Sequence, residues 1–180
     1  MESRKSYQEF KKKYEEVRLD VYKEVPYAIN MPLVKLTPIN NLALAKYREW
    51  SVGTTTRKPP NGGWDWATWS AVYREKYPKR IEIAIWYGGT LCGLALGKMS
   101  EKNVHVRLEV LEGSTSPIHP LKGRVAYIAL TAVEMFGYAL GAEESRVIDP
   151  VDGAIRSYGK LGYRLFPAAK KQPRYMSKVL

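Results

Sequence analysis

The stretch DGAIRSYGKLGYRLFP, residues 152–167, decides the fold. Asp152 is a good N-cap residue, because its carboxylate can accept a hydrogen bond from a free N–H of a first helical turn. Ala154, Tyr158 and Leu161 follow at i, i+4 and i+7, joined by Ile155, and so share one apolar helical face. Gly162 takes the left-handed conformation that ends a helix. Tyr163 to Phe166 then alternates as a strand. Tyr158 therefore faces whatever this helix packs on, either as a core aromatic or as a chemical group.

Working outward, residues 113–124, GSTSPIHPLKGR, read as a loop, and Val125, Ile128, Ala129, Ala132, Phe136 and Ala139 share one face of a strong helix. Residues 146–149 are a short strand and the tail PRYMSKVL supplies a last one. Before the loop, 80–86 and 91–99 flank a Gly88-Gly89 hairpin turn. Residues 104–111 alternate, with Val104, Val106, Leu108 and Val110 on one face and His105, Arg107 and Glu109 on the other. The strand before the loop and the one after the 125–140 helix can pair in parallel, with that helix as a right-handed crossover.

The N-terminal part opens with a helix. Ser6 to Glu9 reads as a capping box, and Tyr7, Phe10, Tyr14, Val17 and Val21 form an apolar seam to about Glu24. That seam docks on the domain or on a second copy of the chain. The expected organisation is an amphipathic helix over 1–24, a linker over 25–32 with two prolines, and one domain over 33–180. In that domain, 33–37 reads as a strand and 42–50 as a helix. A long loop from Ser51 leads to a second helix opened by Trp66 or Trp69.

Bulk composition narrows the class. A chain of 180 residues with 45% hydrophobic side chains suits one globular domain. One cysteine, Cys92, excludes an intrachain disulfide and fits a reducing cytosol; with only two histidines it gives no recognisable metal site. No run approaches the ~20 apolar residues of a membrane span. Net charge is +11, and residues 145–180 hold eight cations against two carboxylates. Such an end suits a phosphorylated cofactor, a nucleic acid or an acidic protein, or simply a solvated surface.

The element order, the loop-to-helix junction and the 152–167 stretch together resemble the GNAT superfamily of acyl-CoA-dependent N-acetyltransferases. Ala154, Tyr158, Lys160, Gly162 and Tyr163 match the pattern A-x-x-x-Y-x-K-x-G-F/Y. The implied fold is α/β, with a mixed, mostly antiparallel sheet flanked by helices, one parallel strand pair and an extra N-terminal helix. The family's pyrophosphate loop, Q/R-x-x-G-x-G/A, is matched only at Gly123; Pro120 and Val125 depart from it.

The resemblance implies acetyl-CoA as co-substrate and an amine acceptor. The single cysteine points to the cytoplasm, and the N-terminal helix and exposed strand edges offer surfaces for a homodimer. The resemblance also implies Tyr158 as the acid for the departing thiolate and Glu109 or Glu112 as a base acting through water. Val110, Leu111, Lys122, Gly123, Arg124 and Val125 would hold the CoA arm and phosphates. Trp64, Asp65 and Trp66 would shape the acceptor pocket, or else cover the core. The competing reading is a catalytically degraded GNAT scaffold serving as a basic module for nucleic acid or an acidic protein.

Overall fold

Alternating apolar side chains over three consecutive segments build the centre of a seven-stranded sheet. The computed structural model describes residues 2–50 and 57–180. In chain order these give α1 (Glu2–Ala28), β1 (Val34–Thr37), α2 (Asn41–Glu49), α3 (Trp66–Lys76), β2 (Arg80–Tyr87), β3 (Thr90–Met99) and β4 (His105–Gly113). They continue with α4 (Val125–Ala139), β5 (Glu144–Ile148), α5 (Asp152–Lys160), β6 (Arg164–Phe166) and β7 (Tyr175–Val179). The sheet order is β1-β2-β3-β4-β5-β7-β6, and only β4 and β5 run parallel. The expected mixed, mostly antiparallel sheet with one parallel pair is the architecture present.

The sheet has two differently covered faces. On one, α4 lies over the central strands and α1 packs on α4 and β1. Val106, Leu108, Val125, Ile128, Val133, Phe136, Val147 and Met176 fill that layer. On the other, α2 and α3 lie over β3 and β2, burying Ile39, Trp66, Tyr73, Leu94, Leu96 and Val110. Apolar burial of this extent supplies the main driving force.

Several boundaries differ from the sequence reading. α1 runs to Ala28 through Pro26, so the first half of the segment expected as a linker over 25–32 is helix. Proline removes one intrahelical hydrogen bond. Here Val25 and Ile29 are buried against the core and the Tyr22 hydroxyl donates to the Glu82 carbonyl, which holds the last turn in place. α1 also starts by Glu2, which puts Ser6 inside the helix rather than at its cap. Asp152 is the first residue of α5, not its cap, which is Val151. Its carboxylate instead meets Arg174 Nη1 at 2.7 Å. Residues 51–56 of the long loop expected after Trp50 lie outside the described residues.

The largest correction concerns β4. Gly97 pairs with Leu108 and Leu96 with Val110, so Glu109 is an extra residue opposite no partner on β3. A bulge of this kind reverses the facing of the residues that follow it. Val106 and Leu108 accordingly face α4, while Val110 faces α2 and α3 rather than continuing the same stripe. Among the described residues no helix is long and apolar enough to cross a membrane.

Candidate active site

The bulge sits where the parallel pair ends. His105 to Leu108 pair with Glu144 to Val147, and beyond that rung β4 and β5 part. A cavity of about 180 Å³ opens there, lined by residues from both strands, by Pro60 and Trp64, and by Tyr158 of α5. Its walls come from both faces of the sheet, because Tyr158 belongs to the α4-side core while Glu109 touches Tyr73 of α3.

Tyr158 is 6% exposed, and its hydroxyl has no hydrogen-bond partner among the described residues. Burial alone pushes its phenol up to about 12. The sequence match extends to Tyr163, whose hydroxyl bonds Ser145 Oγ at 2.7 Å and Glu134 Oε1 at 2.8 Å. Tyr163 is thus pinned inside the fold, whereas Tyr158 lines the cleft with a hydroxyl that has no hydrogen-bond partner among the described residues.

The two carboxylates of β4 have different surroundings. Glu109 lines the cleft, accepts from Tyr73 Oη, and lies 3.6 Å from both Lys98 Nζ and Arg107 Nε. Burial and the adjacent Glu109 carboxylate push the Tyr73 phenol far up, so Tyr73 remains a donor. Glu112 is 4% exposed and accepts from Trp66 Nε1 at 2.7 Å, Gly63 N at 2.8 Å, Tyr47 Oη at 3.2 Å and Arg57 Nη2 at 3.4 Å. Four donors fill a carboxylate's acceptor sites. Glu112 therefore ties the 57–66 segment to the sheet and does not line the cleft.

Of the three residues expected to shape an acceptor pocket, one lines the cleft. Trp64 lines the cleft with its indole N–H buried and without a partner among the described residues. Trp66 is 1% exposed and is a core side chain. Asp65 caps α3, accepting from Thr68 N at 3.1 Å and Thr68 Oγ1 at 2.8 Å. An aromatic-rich loop with a helix-capping Asp inside it carries both roles, and pairing partners distant in sequence separate them. Tyr73 and Pro60, absent from the sequence expectation, join the site; the helical spacing of Trp66 and Tyr73 on α3 was the available signal.

The Gly123 junction lies at the start of α4, beyond the end of β4. Val125 packs on Gly113, with its Cγ2 3.7 Å from where a Cβ there would sit, and its Cγ1 occupies the space a Cβ on Gly93 would need. Its side chain is thus a packing element. The backbone is another matter. Gly123 has φ +77° with open space where a side chain would be, and the first turn of α4 has no side-chain cap. Lys122 and Arg124 are exposed beside it. An uncapped first turn with flanking cations suits an anion. Val110 and Leu111 both line the cleft.

The architecture agrees with that of solved acetyltransferases. The chain resembles a probable GNAT-family acetyltransferase from Chromobacterium violaceum, with 13% identity over 82% of this chain and 87% of that one, at a TM-score of 0.57. It resembles the GNAT domain of PAT from S. lividans, with 10% identity over 82% and 90% of the two chains and a TM-score of 0.58. PaiA N-acetyltransferase from Thermoplasma acidophilum, solved in complex with coenzyme A, gives 15% identity over 82% and 99%, and a TM-score of 0.52. No family model and no curated protein matches the sequence. At these identities the likeness concerns the fold: the chain has the GNAT fold, the architecture of acyl-CoA-dependent N-acetyltransferases.

Proposed function

We propose that the chain is an N-acetyltransferase that moves an acetyl group from acetyl-CoA to a primary amine. The observation that carries this reading is the parting of β4 from β5 after the Leu108–Val147 rung. It leaves a cleft with the free Tyr158 hydroxyl on one side and the Glu109 carboxylate on the other.

The residues present fit acetyl-CoA. Beyond Leu108, the edge of β4 facing β5 is released from pairing, and such an edge can hold an extended amide chain as an added strand. The uncapped turn of α4, with Lys122 and Arg124, suits the phosphates. Acetyl-CoA supplies an acyl thioester whose carbonyl carbon accepts an amine and whose thiolate departs.

An acceptor amine with a pKa near ~10.4 arrives protonated. Glu109 is the carboxylate that lines the cleft, so it takes that proton through water; Glu112 is committed to its four donors. Tyr158 serves the sulfur end. A phenol held at about 12 facing a thiol of ~8.5 makes complete proton transfer uphill by roughly 5 kcal/mol. Tyr158 therefore acts by donating a hydrogen bond to the developing thiolate, a role that a hydroxyl without a protein partner can fill. Trp64 walls the acceptor side and has an indole N–H to offer.

The test couples binding to turnover. Calorimetric titration with acetyl-CoA is expected to show binding, and thiol release in the presence of an amine panel is expected to show acetyl transfer. Absence of binding at millimolar acetyl-CoA would overturn the reading.

A further inference from the structure

The half of the sheet that α2 and α3 leave uncovered carries a row of cations that pairing register alone brings together. Arg107 pairs with Arg146, Arg146 with Ser177, and Ser177 with Arg164. Directly paired residues point to the same face, so Arg107, Arg146 and Arg164 form one line across β4, β5, β7 and β6. At ordinary strand spacing the line is roughly 14 Å long. Glu109 lies on this same face, so the row runs along the acceptor side of the cleft.

A second row beside it is aromatic. Ile148 pairs with Tyr175 and Tyr175 with Phe166. Phe166 stacks on Tyr175 with centroids 5.1 Å apart and planes 9° from parallel, and the Arg146 guanidinium lies 4.6 Å from the Tyr175 centroid. The stack ends in solvent at Phe166, which is 42% exposed on the outermost strand. Ile148 lines the cleft, so the aromatic row begins at its rim.

Charge separates this surface from an ordinary apolar edge. Arg146 meets Glu144 at 2.9 Å and Arg107 lies 3.6 Å from Glu109. Arg164, Lys170 and Lys171 are exposed and have no carboxylate partner among the described residues. Lys170 and Lys171 sit at the tip of the hairpin that Phe166 and Tyr175 open, closed by the Ala169–Gln172 bridge. The surface thus offers a π-stack with a free outer end, flanked by unpaired positive charge. Its chemical complement is a chain with repeated anionic groups and unpaired planar rings. A stack open at one end accepts a base only where that base is not already stacked in a duplex.

We infer that this face of β4, β5, β7 and β6 binds single-stranded nucleic acid, with phosphates on Arg164 and the hairpin lysines and a base stacked on Phe166. The inference stands independently of acetyl transfer. If both hold, the polymer lies on the acceptor side of the cleft and can present a tethered amine to Glu109.

The test is fluorescence anisotropy with a labelled oligothymidylate of about 15 nucleotides at about 50 mM salt. Expected are micromolar affinity, loss of affinity with rising salt, and weaker binding of a duplex of equal length. Phe166→Ala removes no charge and should weaken binding about tenfold at unchanged salt slope, with Phe166→Trp restoring it. Lys170→Glu with Lys171→Glu should weaken binding and lower the slope of log affinity against log salt by about 1.4.

No binding at low salt, binding indifferent to Phe166→Ala, equally tight duplex binding, or equal displacement by polyglutamate would each overturn the proposal. If Phe166→Ala unfolds the hairpin, exposed Arg164→Glu takes its place: weaker oligothymidylate binding supports the proposal, and unchanged binding overturns it. Acetyl-CoA titration of the same variants separates the two readings, since loss of the nucleic-acid face leaves donor binding unchanged.

Discussion

Leu108 and Val147 form the last rung between β4 and β5, and the next residue of β4, Glu109, has no partner on β3 either. The bulge and the end of parallel pairing therefore coincide. A bulge bends its strand and increases local twist, which carries β4 away from β5 and opens the cleft. The same extra residue puts a carboxylate at the cleft wall and turns Glu112 inward on the α3 side.

Removing the Tyr158 hydroxyl should cost activity and little else. Tyr158→Phe is expected to lower kcat about 100-fold, the low end of what a hydrogen-bond donor to developing negative charge contributes. Because the hydroxyl makes no protein hydrogen bond among the described residues, the melting temperature should stay near that of the parent. Steady-state kinetics with thermal melting of the same preparation checks both; an unchanged kcat removes the assignment.

Glu109→Gln keeps the shape and removes the carboxylate proposed as the base. The expected outcome is a fall in kcat of roughly 100-fold with a nearly unchanged KM for acetyl-CoA, and loss of the acid limb of the kcat–pH profile. A profile that retains its acid limb assigns the base elsewhere.

Glu112 is expected to matter for folding. Glu112→Ala leaves the Trp66 indole N–H and the Gly63 amide without their acceptor and takes the carboxylate from Arg57, whose Nη2 keeps the Gly113 carbonyl at 2.6 Å. Breaking a buried charge network from one side costs about 3–5 kcal/mol. Urea unfolding should show the loss; a variant as stable as the parent contradicts the anchoring role.

Acid should weaken the fold through His105. Burial first, then the neighbouring Arg146 and Arg107, pull its imidazole down to about 4, against a smaller opposing effect of Glu144. The unfolded chain, near ~6.5, takes up a proton that the folded chain refuses. The His105 contribution is therefore full above about pH 6.5 and declines as pH falls toward 4. Unfolding free energy measured across that window should drop less steeply in His105→Gln than in the parent.

Gly137 tests the packing of α4. Alanine there improves helix propensity by about 1 kcal/mol. Its Cβ would lie 2.4 Å from Val106 Cγ1 and 2.8 Å from Val106 Cβ, an atom fixed to the strand backbone. Overpacking of this kind costs about 1–3 kcal/mol. Net destabilisation is expected by chemical denaturation, and a gain in stability contradicts it.

Local chemistry made much of this molecule readable from its residues. The periodicities of Val125 to Ala139 and of Ala154 to Leu161, and a left-handed Gly162 with φ +92°, depend on neighbours a few positions away. The match of Ala154, Tyr158, Lys160, Gly162 and Tyr163 to the GNAT pattern singled out Tyr158, which lines the cleft. What the chain could not disclose locally were relationships between strands. Glu109 is a bulge only because Leu96 and Gly97 of β3 pair on either side of it, and the facing of Val110 and Glu112 follows from that. Trp66 became core, and Glu112 an anchor, through a hydrogen bond between residues 46 positions apart. The row from Arg107 to Arg164 exists only in the register of four strands. Such contacts form when distant segments close on one another, and side-chain identity alone does not encode which partner each will meet.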